Sequence, residues 1–214
     1  MLAIREVIAM IRLGQLWIVI LSVSAALAAQ DQPLSLKIYL YNNAGVPGIT
    51  LGQAEDRARK IFGQSGVATT WYNCSVHGMG GANCSGSLDA ETIVVQIVHN
   101  TEKVKTEVFG TALIGRSGYG SYAHIFFDRA QQLCRDEKVG LPDVLGHIIS
   151  HEIGHLLLGT DSHSRFGIMR ARWESKELAQ ADRGHLFFSA AQSKAMQTRL
   201  NAVSSEGAEP ASGH

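Results

Sequence analysis

Two imidazoles and a carboxylate stand in the run His151-Glu-Ile-Gly-His155 at a spacing that suits metal chemistry. On an α-helix, residues four apart are separated by about 400° of rotation and about 6 Å of rise, so both rings lean from one face toward a common point. Glu152 stands beside the pair rather than between them. It is therefore placed to hold a water and take its proton instead of filling a coordination position. Two ligands and a general base on one helix suit zinc-assisted cleavage of a peptide bond. The ion lowers the pKa of its water toward about 7 and polarises the carbonyl, and the carboxylate removes the proton. Glu152 would then return that proton to the leaving amine.

A catalytic zinc has three protein ligands and an open position for water. Gly159 is suited to break the helix and turn the chain, so that His163 swings back toward the ion. Asp161, in the same turn, is a rival oxygen donor. Imidazole is the commoner third ligand, so His151, His155 and His163 are the expected set, with Zn²⁺ as the cofactor. Gly167-Ile-Met169 follows, with Met169 six residues after His163.

Taken whole, HEIGHLLLGTDSHSRFGIM resembles the metzincin clan of zinc endopeptidases, and its His-Ser after the turn is most similar to the matrixin branch. The resemblance implies a methionine turn in which Met169 supports the metal from below without ligating it. It also implies that residues beyond, Trp173 among them, shape the pocket for the side chain that follows the cut. Phe109-Gly-Thr-Ala-Leu-Ile-Gly115 and then Ala123-His-Ile-Phe-Phe-Asp128 match the family's order. In that family the first run is an antiparallel edge strand that pairs with extended substrate. The chain departs from the pattern in its turn. The family places the glycine three and the third His six residues after the second His; here they stand at four and eight, and Asp161 occupies the sixth place. Ala171 stands where some branches carry a tyrosine just after the methionine.

Other chemistry-bearing residues read as structural. His147 continues the i, i+4 series, but no Glu is placed to act with a His147–His151 pair, so it reads as a packed helix histidine. His124 reads as strand packing. Glu174 and Glu177 lie where another class of zinc peptidase places a glutamate, but without that class's flanking motif they read as a solvated charged stretch. Cys134 lies within the domain and does not suit an inhibitory thiol. Asn100 to Glu107 reads as a solvated connection.

The elements that must position the site follow from hydrophobic periodicity. Ser35–Tyr41 alternates apolar and polar as a strand, and Asn42–Gly45 marks a turn. Thr50–Gly63 reads as a helix capped by Thr50, with Leu51, Ala54, Ala58, Ile61 and Phe62 on one face. Val67–Tyr72 completes a strand–helix–strand unit, which implies parallel strands. Thr92–Val98 is apolar enough to be central. Val108–Ile114 is a weak edge strand with Gly110 inside it. Ser121–Phe127 is a fifth strand. A short helix over 129–137, a long helix over Pro142–Leu158, an irregular stretch from Gly159 to Trp173 and a last helix over Ser189–Leu200, capped by Ser189, complete the chain. The expected fold is a single α/β (α+β) metzincin-like domain: a twisted, mixed sheet of about five strands, an active-site helix and a C-terminal helix.

The chain has 214 residues, enough for one domain. Lys+Arg and Asp+Glu number 19 each, so no excess positive charge is available for a nucleic acid. Arg5 and Arg12 precede an apolar run from Leu13 to Ala26, which closes on small residues through Ala29. This pattern predicts a signal peptide over 1–28 and a secreted or periplasmic catalytic domain over 29–200, with no stable membrane insertion after cleavage and a disordered tail over 201–214. The run is shorter than the roughly 20 residues that span a bilayer. Three cysteines permit three pairings; proximity favours Cys74–Cys84, worth on the order of 2–3 kcal/mol, and leaves Cys134 free. The expected activity is that of a monomeric secreted endopeptidase acting on extended polypeptide. The alternatives are a catalytically inactive metal-binding or protein-interaction domain of the same fold, and a non-peptide hydrolase using the same metal.

Overall fold

The strand β1, Ser35–Asn42, alternates its side chains strictly, and this alternation sets the layers of the domain. Leu36, Ile38 and Leu40 point into the main core, while Tyr39 belongs to a smaller cluster with Cys74 and Val94. The computed structural model describes residues 34–74, 84, 89, 91–100, 108–115 and 120–207, which belong to one structural unit. The segment expected as a signal peptide, the residues 101–107 of the expected connection and the tail from 208 lie outside the described residues.

Helix α1, Gly48–Gln64, buries Leu51, Ala54, Ala58, Ile61 and Phe62 as the periodicity requires. It begins two residues before the expected cap. Pro47 is the N-cap, and no side chain caps the end, so Thr50 lies inside the first turn. Strand β2, Ala68–Cys74, returns parallel to β1 and completes the strand–helix–strand unit.

Strand β3, Thr92–Val98, is central: it pairs parallel with β1 on one side and with β5, Tyr122–Phe126, on the other. Strand β4, Gly110–Leu113, is antiparallel to β5 at the sheet edge. The order is β2-β1-β3-β5-β4, a five-stranded mixed sheet as expected. Helix α2, Phe127–Glu137, follows β5 directly and ends on Lys138 in the left-handed region, φ 56°.

Helix α3, Leu141–Leu158, carries the metal motif. It buries 13 of its 18 residues, against α1, α2, the sheet and the C-terminal helix. A helix buried nearly all round has no solvent face on which to place charge, so each polar group in it needs a partner or a task. Ser150 donates to the Gly146 carbonyl at 2.8 Å and His147 to the Asp143 carbonyl at 2.7 Å. Glu152 and His155 remain for chemistry.

Helix α4, Ser175–Asp182, was not expected. The stretch read as solvated charge is a capping box: Glu174 and Glu177 each accept from the other's end of the first turn, and Arg170 bridges both carboxylates. Glu177 is buried by this arrangement. The last helix, α5, spans Ala190–Gly207; Ser189 and Gln192 exchange cap hydrogen bonds at its start. It runs past Leu200, so residues 201–207 of the expected disordered tail are helical. Arg199 on α5 donates to the Leu156 carbonyl, satisfying one of the unpaired acceptors at the end of α3.

Cys74 and Cys84 form the disulfide that proximity favoured. Cys134 is buried, and burial pushes its thiol up to about 12, so it is inert at ordinary pH. Among the described residues no helix is long and apolar enough to cross a membrane.

Candidate metal centre

His151 and His155 project from the last two turns of α3, and each ring is held from behind by a backbone carbonyl. His151 Nδ1–H donates to Ile168 O at 2.7 Å and His155 Nδ1–H to Thr160 O at 2.8 Å. A carbonyl only accepts, so both rings carry their proton on Nδ1 and both Nε2 atoms are lone-pair acceptors. Those two Nε2 atoms lie 3.0 Å apart. Two neutral rings in this tautomer cannot hydrogen-bond each other there; a shared cation satisfies both.

The helix ends where the second imidazole needs its support. Gly159 takes the left-handed conformation, φ 65°, and its N–H bonds back to the His155 carbonyl at 3.0 Å. That reversal brings Thr160 O behind the His155 ring and sends the chain outward to His163. The His163 ring comes to 4.8 Å from the His155 ring and 5.4 Å from the His151 ring, centre to centre. One ligand nitrogen from each of the three histidines lies within 4.8 Å of the others, a group that could hold a metal ion. Asp161, the rival donor, lines the same cleft and its charge acts on His155, but it is outside this group. The two extra residues of the turn are taken up in the loop, and the candidate donor set is three imidazoles, which suits zinc.

Burial sets the charge states. It pushes His151 down to about 3, with His155 and His163 adding to the effect, and it lowers His155 as well. Both rings are thus neutral at neutral pH, the form in which an imidazole can ligate a metal. Glu152 is also buried, which pushes its carboxyl up to about 8. An ionised Glu152 needs a positive charge nearby, and a cation on the adjacent imidazoles would supply it.

Two glycines let backbone and thioether approach the site. A Cβ on Gly110 of β4 would stand 2.5 Å from Glu152 Cγ and 2.7 Å from Oε1, so the edge strand lies directly against the carboxylate. A Cβ on Gly154 would stand 2.6 Å from Met169 Sδ and 2.7 Å from the Phe188 ring. Met169 is fully buried against the turn of helix that bears His155. The sequence places both glycines, but Gly110 reads there only as a weakness in a strand. The carbonyls of Thr160 and Ile168 carry no side-chain signal at all.

The cleft in front of the histidines has a volume of about 260 Å³. Its walls are largely apolar, among them Phe109, Ile114, Ile148 and Trp173, and β4 forms one side. His147 and His124 stand outside this group. His147 is fully buried, with its ring edge-to-face on Trp173, and burial pushes it down to about 4. His124 packs on β5 against Tyr122, whose hydroxyl lies 3.2 Å from Nε2.

No family model and no curated protein matches the chain. Solved structures do. An archaemetzincin from Methanopyrus kandleri superposes with a TM-score of 0.50 at 17% identity, over 80% of this chain and 99% of its own. A zinc-dependent peptidase from Methanocorpusculum labreanum superposes with a TM-score of 0.51 at 15% identity, over 77% of this chain and all of its own. The chain therefore shares the mixed α/β fold of these two proteins.

Proposed function

We propose that the protein is a zinc-dependent peptidase in which His151, His155 and His163 hold the metal and Glu152 is the general base. The observation that carries this reading is the pair of helix imidazoles with their Nε2 lone pairs turned on one another at 3.0 Å, with the buried Glu152 carboxylate beside them. The shared fold with two proteins of metzincin and zinc-peptidase type supports it.

When bound, zinc would act as a Lewis acid that acidifies a water and polarises the scissile carbonyl. The protein's own groups do the rest. Ile168 O and Thr160 O keep the two helix rings in the Nδ1–H tautomer, which leaves Nε2 free to ligate. Glu152 accepts a proton from the attacking water on a carboxylate oxygen and passes it to the leaving nitrogen. Gly110 holds that carboxylate against the edge of β4. The outer side of β4 has no strand partner among the described residues, so it can receive an extended chain as one more antiparallel strand. That mode suits an endopeptidase, and the apolar walls suit an apolar side chain next to the cut. The matrixin-like His-Ser, with a third ligand two residues later than usual, is the finer assignment.

Secretion is part of the proposal. The apolar segment before residue 29 and the Cys74–Cys84 disulfide both suit an oxidising compartment. We take residues 29–200 as the catalytic domain and the monomer as the working unit.

The test is direct. The purified protein should bind one zinc, cleave an unfolded protein such as denatured casein, and lose that activity to a chelator. Glu152→Ala should keep its zinc and lose activity by about 10²–10⁴-fold. Full activity in that variant would refute the mechanism. Zinc without cleavage in the parent protein would instead favour a binding domain of the same fold.

A further inference from the structure

Trp173 lies four residues after Met169, and its indole touches the metal centre in two ways. Its Nε1–H donates to Ile168 O at 3.1 Å, the same oxygen that accepts from His151 Nδ1 at 2.7 Å. Its ring also meets the His151 ring edge-to-face, 5.9 Å between centres, and the His147 ring at 6.3 Å. One carbonyl thus anchors both the imidazole and the indole, using both of its lone pairs. The carbonyl is itself fixed: Ile168 N–H donates to Phe187 O at 3.0 Å, and the Ile168 side chain is fully buried. Trp173 also lines the cleft and an adjoining cavity of about 450 Å³ bordered by residues of α2 and α4. Trp173 therefore borders both the cleft and the His151 ring.

We propose that Trp173 is a positioning residue for His151: through the shared Ile168 carbonyl and the ring contact it sets the angle at which His151 Nε2 meets the metal. This rests on the zinc-peptidase reading and adds to it. A pocket wall alone would affect how substrate binds; a positioning residue affects the metal and the chemical step even when no substrate is present. Outer partners of metal-ligating histidines act in this way, by fixing tautomer and ring orientation.

The experiment is a zinc-competition titration and a steady-state comparison of the parent protein and Trp173→Phe. The phenyl ring keeps most of the wall and removes the N–H. Trp173→Phe should bind zinc about tenfold more weakly and lose kcat by a similar factor, with KM within about twofold of the parent value. Unchanged zinc affinity and kcat, with any effect confined to KM, would overturn the proposal. If Trp173→Phe does not fold, site-specific replacement of Trp173 by benzothienylalanine, a near-isostere in which sulfur replaces the N–H, is read by the same two criteria. The zinc affinity of the parent protein separates the two levels. No zinc bound there defeats the zinc-peptidase reading, whereas tight binding in parent and variant alike with kcat unchanged defeats the role of Trp173 alone.

Discussion

His163 and Asp161 compete for one role, and the geometry separates them. The His163 ring stacks on His151 and meets His155 edge-to-face, whereas Asp161 contributes charge without joining the group. His163→Ala should therefore weaken zinc binding by on the order of a hundredfold or more, beyond the effect usual for an outer partner. Asp161→Ala should leave it nearly unchanged. Titration of each variant against a chromogenic chelator checks both, and the reverse order would make Asp161 the third ligand. The choice rested, in sequence alone, on the general preference of zinc for imidazole. What sequence could not weigh was whether an eight-residue spacing still lets the ring return. Gly159 in its left-handed conformation is the reason it does.

At the level of elements, the position of the Glu152 carboxylate depends on a strand distant in sequence. Strand β4 lies against α3 so closely that Gly110 has no room for a methyl group beside Glu152. Gly110→Ala should displace that carboxylate, lowering kcat by about a hundredfold, in keeping with a shift of roughly 1 Å in a catalytic group. Zinc content should not change. Normal turnover in this variant would mean that the strand tolerates the methyl by moving away. The elements themselves were legible to different degrees. Thr92–Val98 was read to the residue because a β-branched run broken only by Gln96 suits a central strand. The start of α1 was misplaced because Thr50 looks like a cap, while Pro47 starts the helix through its fixed φ. Helix α4 was missed because glutamate is not a favoured N-cap and eight polar-rich residues show little periodicity. Its two carboxylates are organised by Arg170, a tertiary partner that composition does not reveal. In the site, side chains were legible and backbone was not, since Thr160 O and Ile168 O are placed by the turn that follows the helix.

For the molecule as a whole, the buried histidine behind the site gives stability a pH dependence. His147 is held near 4 by burial, against 6.5 when exposed. As pH falls, the unfolded chain takes up this proton first, so stability is fully present above about 6.5 and is lost as pH falls toward 4. The contribution amounts to about 3 kcal/mol. His147→Phe should flatten this part of the profile, as read from urea unfolding at pH 7 and pH 4.5. An unchanged slope would place the titration elsewhere. The larger fold holds the site unevenly. Helix α3 is braced by the sheet, by α1 and by Arg199 at its end, so two of the three imidazoles move only if the core opens. The third is carried on an exposed turn whose own ties are local, Ser164 N–H to Met169 O at 2.8 Å and Ser164 Oγ to Phe166 O at 2.7 Å. Capture and loss of the ion should then be stepwise and hinged, with one arm closing over a rigid fork. The residence time of the metal would be governed by how often that arm lifts, and not by the global stability of the domain.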